Sequence, residues 1–109
     1  ENPPSFEPTA TTPKPAAANK TAPNAAADAF SAFMKAANAP GLIDAKTKKL
    51  MAIMLSISQH CEPCLRIHLQ NALAQGMRIE EIDEAAWLAI AFCGAPAKMF
   101  YEGMKKEIV

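Results

Sequence analysis

Beyond residue 25, apolar residues recur at helical spacing, and the runs are separated by Pro, Gly and capping residues. Ala29, Phe30, Phe33, Met34 and Ala37 share one face at a period of about 3.6. This predicts a helix opening near Ala25, capped by Asn24 or Asp28 and closed by Pro40-Gly41. A second helix is predicted after Asp44, a good N-cap residue. Its Leu50, Met51, Ile53, Met54, Leu55 and Ile57 are apolar nearly all round, the pattern of a central, buried helix. Proline is tolerated in the first turn of a helix and not in its interior. Pro63 therefore places the start of a third helix at about Cys61, running through His68 to Gln75 with Gly76 as its stop. Leu65, Leu69, Ala72 and Leu73 form its apolar stripe. A fourth helix is predicted from Ile79 to about Phe92, with Ile82, Ala85, Ala86, Leu88, Ala89 and Ile90 inward and Glu80, Glu81, Asp83 and Glu84 at its N-terminal end, where the helix dipole favours acids. Cys93-Gly94-Ala95-Pro96 breaks the pattern, and a last helix from about Ala97 ends on basic residues near Lys106. The expected fold is all-α.

Two stretches depart from this regularity. Lys46, Lys48 and Lys49 crowd the first turns of the second helix, where the dipole disfavours cations; a carboxylate from another subunit would account for them. Residues 1–26 carry six prolines (Pro3, Pro4, Pro8, Pro13, Pro15 and Pro23) among Ala, Thr, Asn and Lys. Such a composition buries too little to offset its ordering entropy, so it reads as an extended arm or linker, with Phe6 as its one apolar anchor. The domain proper is expected over residues 27–109.

Composition narrows the function. Eleven basic and eleven acidic residues give a formal net charge of zero, which offers no electrostatic footprint for nucleic acid. No apolar run approaches the roughly 20 residues of a membrane span. Abundant alanine and a single valine, Val109, favour helix over sheet. A core of about 80 residues is thin, so apolar helix faces are expected to find partners in a homo-oligomer.

The candidate chemistry lies in His60-Cys61-Glu62-Pro63-Cys64-Leu65-Arg66-Ile67-His68. Cys61 falls at the predicted helix mouth, Cys64 about one turn in, and His68 four residues on, over Cys64 on the same face. Unpaired N–H groups at a helix N-terminus favour a thiolate, the nucleophilic form. The stretch thus supplies a nucleophile, a second thiol able to close a disulfide, and a base. Other readings remain open: inert packed thiols, or a zinc site from Cys61, Cys64, His68 and His60. The haem c signature fails because Leu65 follows the second cysteine. His60 reads as a rim residue and Cys93 as a packed helix-end thiol. Trp87, Phe92, Phe100 and Tyr101 read as core or subunit-interface residues, and Met51, Met54, Met77, Met99 and Met104 as packing.

The order and spacing of several segments resemble the carboxymuconolactone decarboxylase/AhpD-like alkylhydroperoxidase superfamily over about residues 41–104. These are Gly41-Leu42-Ile43-Asp44, Cys61-Glu62-x-Cys64-x-x-x-His68, Ala72-Leu73-x-x-Gly76, Glu80-Glu81-Ile82-x-Glu84-Ala85 and Gly94-x-Pro96. The resemblance implies an AhpD-like helical bundle, assembling as a trimer or hexamer. In the cysteine-bearing branch it further implies a peroxidatic Cys64, a resolving Cys61 and a proton relay through His68. Where that branch carries a relay glutamate, twelve residues before the first cysteine, this chain has Lys49; its common tyrosine or histidine between the cysteines is Pro63 here. Glu84, Glu81 or Glu62 would have to replace the missing carboxylate, or Lys49 itself would favour a thiolate.

The expected function is a thiol-dependent peroxidase or disulfide oxidoreductase acting on hydroperoxide or disulfide substrates. It would need no cofactor beyond the dithiol and would draw on an electron-donor protein, a small thiol or a lipoyl-type reductant. The alternative is a non-enzymatic oligomeric scaffold that keeps the fold; the decarboxylase branch, which does not use the cysteine pair, ranks last. A redox dithiol suits the cytoplasm, the compartment expected, or the periplasm had a signal peptide been removed ahead of Glu1.

Overall fold

The computed structural model describes residues 22–109, which form five helices and, among the described residues, no strand. They are α1 (Ala22–Asn38), α2 (Ala45–Ser58), α3 (Glu62–Ala74), α4 (Ile79–Cys93) and α5 (Ala95–Ile108). The all-α expectation holds, with boundaries close to those predicted from spacing.

The chain divides into two compact units, one ending at Ala37 and one spanning Asn38–Val109. In the first, α1 buries none of its residues, and Phe30 and Phe33 pack ring to ring with centroids 6.3 Å apart. Asn24 and Asp28 lie inside α1, so neither caps it. Residues 22–26, read from composition as the end of the arm, are helical; alanine is the strongest helix former, and Pro23 sits in the first described turn. The rest of the expected arm, with the proposed Phe6 anchor, lies outside the described residues.

In the second unit, α2 packs against α3, α4 and α5, and α5 also packs against α3 and α4. Ile53 and Ile57 of α2, Leu65, Leu69 and Ala72 of α3, Ile82, Ala86 and Ala89 of α4, and Ala97, Tyr101 and Met104 of α5 form one buried cluster. Each fully buried large side chain contributes about 1.5–3 kcal/mol relative to exposure. Ser56, the buried polar residue of α2, donates its hydroxyl to the Ala52 carbonyl at 2.7 Å and leaves no unpaired polar atom in the core.

Two expectations are corrected. The α2 run is not buried all round: Leu55 is 61% exposed and Met51 41%. A four-helix unit covers one side of α2 and leaves its other apolar side open. Trp87 and Phe92, expected in the core or at a subunit interface, are 53% and 86% exposed in the single chain. The lysines of α2 find their partners within the chain: Lys46 pairs with Glu81, Lys48 donates to the Ala39 carbonyl at 2.7 Å, and Lys49 reaches His68.

Tyr101 is buried as predicted. Its hydroxyl donates to Asp83 Oδ1 at 2.7 Å, and Lys105 Nζ lies 3.0 Å from both carboxylate oxygens, so one carboxylate ties α4 to two turns of α5.

Candidate dithiol site at the mouth of the third helix

The turn that delivers Cys61 is built by hydrogen bonds at the end of α2. His60 N–H donates to the Ile57 carbonyl at 3.1 Å and Cys61 N–H to the Ser56 carbonyl at 3.0 Å. This paired pattern places a left-handed residue at the turn, a position that glycine usually fills. Here it is His60, at φ +52°, the only non-glycine residue with positive φ among those described. The His60 ring stacks on Phe100 of α5, centroids 4.9 Å apart, so a tertiary contact holds the strained residue in place. The next turn uses the same pattern with glycine: Gly76, at φ +91°, donates to Leu73 and Met77 to Ala72. The dithiol helix is thus bounded by two turns of one type, and His60 is the exception.

Cys61 is the N-cap of α3, with extended backbone, and Pro63 lies in the first turn. The Cys64 N–H donates to Cys61 Sγ at 3.3 Å, so a sulfur does the work of a Ser or Asp cap oxygen. Cys61 and Cys64 are joined by a disulfide, with Cα atoms 5.2 Å apart. Cys64 is exposed and Cys61 half-buried. The site is therefore open to solvent on the Cys64 side, and the helix mouth faces Cys61.

His68 is half-buried on α3, one turn beyond Cys64. Its Nδ1 lies 3.3 Å from Lys49 Nζ of α2. Burial first, and then the Lys49 charge, lowers the His68 pKa below the ordinary imidazole value. The residue at the relay position thus does reach the histidine, as a cation.

Of the three carboxylates considered as substitutes, Glu81 and Glu62 are engaged elsewhere. Glu81 pairs with Lys46 and accepts the Arg78 N–H at 3.0 Å. Glu62 pairs with Arg66, which also binds Glu107. Glu84 is exposed on α4 and, among the described residues, makes no hydrogen bond or ion pair with Lys49 or His68. Cys93, expected to be a packed thiol, is exposed at the end of α4. The zinc alternative finds no support: the two sulfurs are bonded to each other, His60 is turned onto Phe100, and among the described residues no three His, Cys, Asp or Glu side chains are grouped as metal ligands.

The Lys49–His68 pair and the His60–Phe100 stack were not foreseen. The spacing from the relay glutamate position to Cys61 pointed at Lys49. Nothing local signals Phe100, forty residues from His60. Away from the sulfurs, Met51, Met54, Leu55, Leu88 and Phe92 line an open apolar groove between α2 and α4.

Comparison with known proteins gives this geometry its context. The sequence profile of the carboxymuconolactone decarboxylase family matches residues 24–101, which takes in most of α1. A protein of Paracoccus denitrificans described as uncharacterized protein 4 in the cox locus is 37% identical over 62 residues, covering 57% of this chain and 56% of its own length. The matched part is thus little more than half of that relative. A carboxymuconolactone decarboxylase family protein from Legionella pneumophila, solved in its apo form, superposes with a TM-score of 0.70 at 28% identity over 82% of this chain and 80% of its own. A family member from Thermotoga maritima, for which a part in the antioxidative response has been suggested, superposes with a TM-score of 0.67 at 30% identity, covering 72% of this chain and 68% of its own. Fold and profile agree, and the chain belongs to the carboxymuconolactone decarboxylase family.

Proposed function

We propose that the protein is a thiol-dependent oxidoreductase that reduces hydroperoxides through Cys61 and Cys64. The observation that carries this reading is the pair itself: two sulfurs bonded across the first turn of α3, one of them exposed, with an imidazole one turn on. In the reduced protein the Cys64 thiolate attacks the outer peroxide oxygen. The O–O bond breaks, Cys64 becomes a sulfenic acid, and the alkoxide or hydroxide leaves with a proton. Cys61 then attacks the Cys64 sulfur, expels water and closes the disulfide. An external thiol or dithiol, of the small-thiol or lipoyl class, attacks the exposed Cys64 sulfur and releases Cys61 as a thiolate held by the Cys64 N–H. The suggested antioxidative role of the Thermotoga relative is consistent with this chemistry.

The test is a thiol count after one equivalent of peroxide. Fast, paired loss of Cys61 and Cys64 to a disulfide, with Cys93 unmodified, supports the reading. Cys93 is exposed and lies outside the motif, so it reports intrinsic thiol reactivity in the same molecule. Slow oxidation of all three alike favours a scaffold that keeps the family fold without the activity. The apolar surface of Leu55, Leu88 and Phe92 supports self-association. Light scattering of the native chain beside Leu55→Asp tests it, and a concentration-independent monomer for both rejects it.

A further inference from the structure

The contact between Lys49 and His68 fixes more than distance. A lysine ammonium has three donors and no acceptor, so its 3.3 Å approach to Nδ1 requires that nitrogen to offer its lone pair. A neutral imidazole accepting at Nδ1 carries its proton on Nε2. A carboxylate at position 49 would demand the opposite: it would accept from Nδ1–H and leave Nε2 free to take a proton from a thiol.

We propose that Lys49 and His68 form an acid relay, in which Lys49 locks His68 as the Nε2–H tautomer and the pair delivers a proton to the group leaving the substrate. This rests on the peroxide reading above. The two residues are neighbours across the α2–α3 contact: Lys49 is half-buried on α2, and His68 is half-buried on the face of α3 that carries Cys64. The lowered proton affinity of His68 agrees, since a ring that stays neutral keeps Nδ1 available to accept.

The step balances. The Cys64 thiolate forms an S–O bond with the outer peroxide oxygen while the O–O bond breaks toward the inner oxygen. His68 gives its Nε2 proton to the departing alkoxide, and Lys49 gives one of its own to Nδ1. The products are the Cys64 sulfenic acid, an alcohol, neutral Lys49 and His68 as the Nδ1–H tautomer; a proton from water restores the pair. Loss of the Nε2 proton alone would leave an imidazolate; a lysine ammonium that gives a proton to Nδ1 in the same event keeps the ring neutral, so the transfer runs through it. The relay thus assists the leaving group, where a glutamate relay would activate the nucleophile. Lys49 is a positioning residue and proton source, and it acts through His68.

Nitrogen-15 spectra of the reduced protein read the tautomer directly, since the chain has two histidines. The expected signature for His68 is a protonated Nε2 and an unprotonated Nδ1, lost or mixed in Lys49→Met. An Nδ1–H tautomer in the native protein overturns the proposal whatever the activity.

Kinetics read the relay. Above the pH at which the thiols ionise, Lys49→Met is expected to slow Cys64 oxidation by tert-butyl hydroperoxide about 100-fold, within the usual range for a general acid. Oxidation by peracetic acid, whose leaving acetate needs no proton, should change less than about threefold on the same reasoning. Equal deficits with both oxidants would mean a structural role and overturn the relay. Lys49→Arg keeps a donor at Nδ1 and does not release its proton; it is expected to retain the tautomer and remain slow. Full rate in that variant overturns proton delivery. A native protein inert to both oxidants would sink the peroxide reading and the relay together, and the Nε2–H signature would then report the tautomer alone.

Discussion

The backbone N–H of Cys64 donates to Sγ of Cys61 across 3.3 Å, so the first cysteine of the pair is also the cap of the helix that carries the second. Redox state and helix-end stability are thereby linked. In the reduced protein Cys61→Ala is expected to cost about 1 kcal/mol and Cys61→Ser to cost little, since a hydroxyl replaces the cap. Urea denaturation under reducing conditions measures both. Equal losses would mean that the sulfur does not cap.

His60 holds a left-handed backbone at a price that its stack on Phe100 offsets. His60→Ala keeps the backbone demand and loses the ring contact, for an expected loss of about 1 kcal/mol. His60→Gly loses the same contact and relieves a left-handed strain of about 1–2 kcal/mol. The glycine variant should therefore be the more stable of the two. The reverse order, read from denaturation midpoints, would mean that the turn is not left-handed in solution.

Burial, and then the hydrogen bond to Asp83, raises the Tyr101 pKa far above the ordinary phenol value. An unfolded tyrosine ionises near pH 10, where folded Tyr101 remains protonated. The stability contributed is complete below about pH 10 and is lost as pH rises beyond it. Tyr101 is the only tyrosine, so the rise in absorbance at 295 nm that marks phenolate formation reports on it. Ionisation should coincide with unfolding by circular dichroism and should not show a separate step near pH 10. Tyr101→Phe removes this alkaline dependence and costs about 1 kcal/mol at neutral pH.

His68 titrates in the other direction. Burial and then the Lys49 charge depress its pKa, so the unfolded chain takes up this proton first on acidification. Stability from this source is full above about pH 6.5 and falls as pH drops from there through the lower folded value. Replacing Lys49 by Met should move the His68 titration upward, as followed by its ring proton shifts. An unchanged titration would place the Lys49 charge away from the ring.

Leu69 is fully buried where α3 meets the core, whereas Ile67, two residues earlier, is 55% exposed. Leu69→Ala is expected to destabilise the fold by about 2–5 kcal/mol through lost burial and the cavity left behind. Ile67→Ala should stay within about 1 kcal/mol. Comparable losses at both positions would mean that the outer face of α3 is covered in solution, as an assembly through that face would require.

How much was legible from the residues alone varied with the range of the interaction. Asp44 as the N-cap of α2, Pro63 in the first turn of α3, Gly76 at its end and the acidic start of α4 each act within one turn, and each appears where the spacing put it. The placement of Cys61 and Cys64 followed from the same local rules. Apolar periodicity also identified the inward stripe of α3, but it overstated the burial of α2. A run that is apolar on every side says that partners are wanted, and not how many sides one chain covers.

What the tertiary structure alone decided lies between helices. Lys49 meeting His68 across 19 positions, His60 resting on Phe100, and Asp83 joined to Tyr101 and Lys105 all depend on how α2 to α5 cross. A periodic pattern gives the face of a helix and leaves its rotation and height against a neighbour undefined; a shift of one turn, about 5.4 Å, would separate every one of these pairs. The sequence determined an all-α chain with a dithiol at a helix mouth. Packing decided which donor reaches the nearby imidazole, because Lys49 is brought to His68 from another helix.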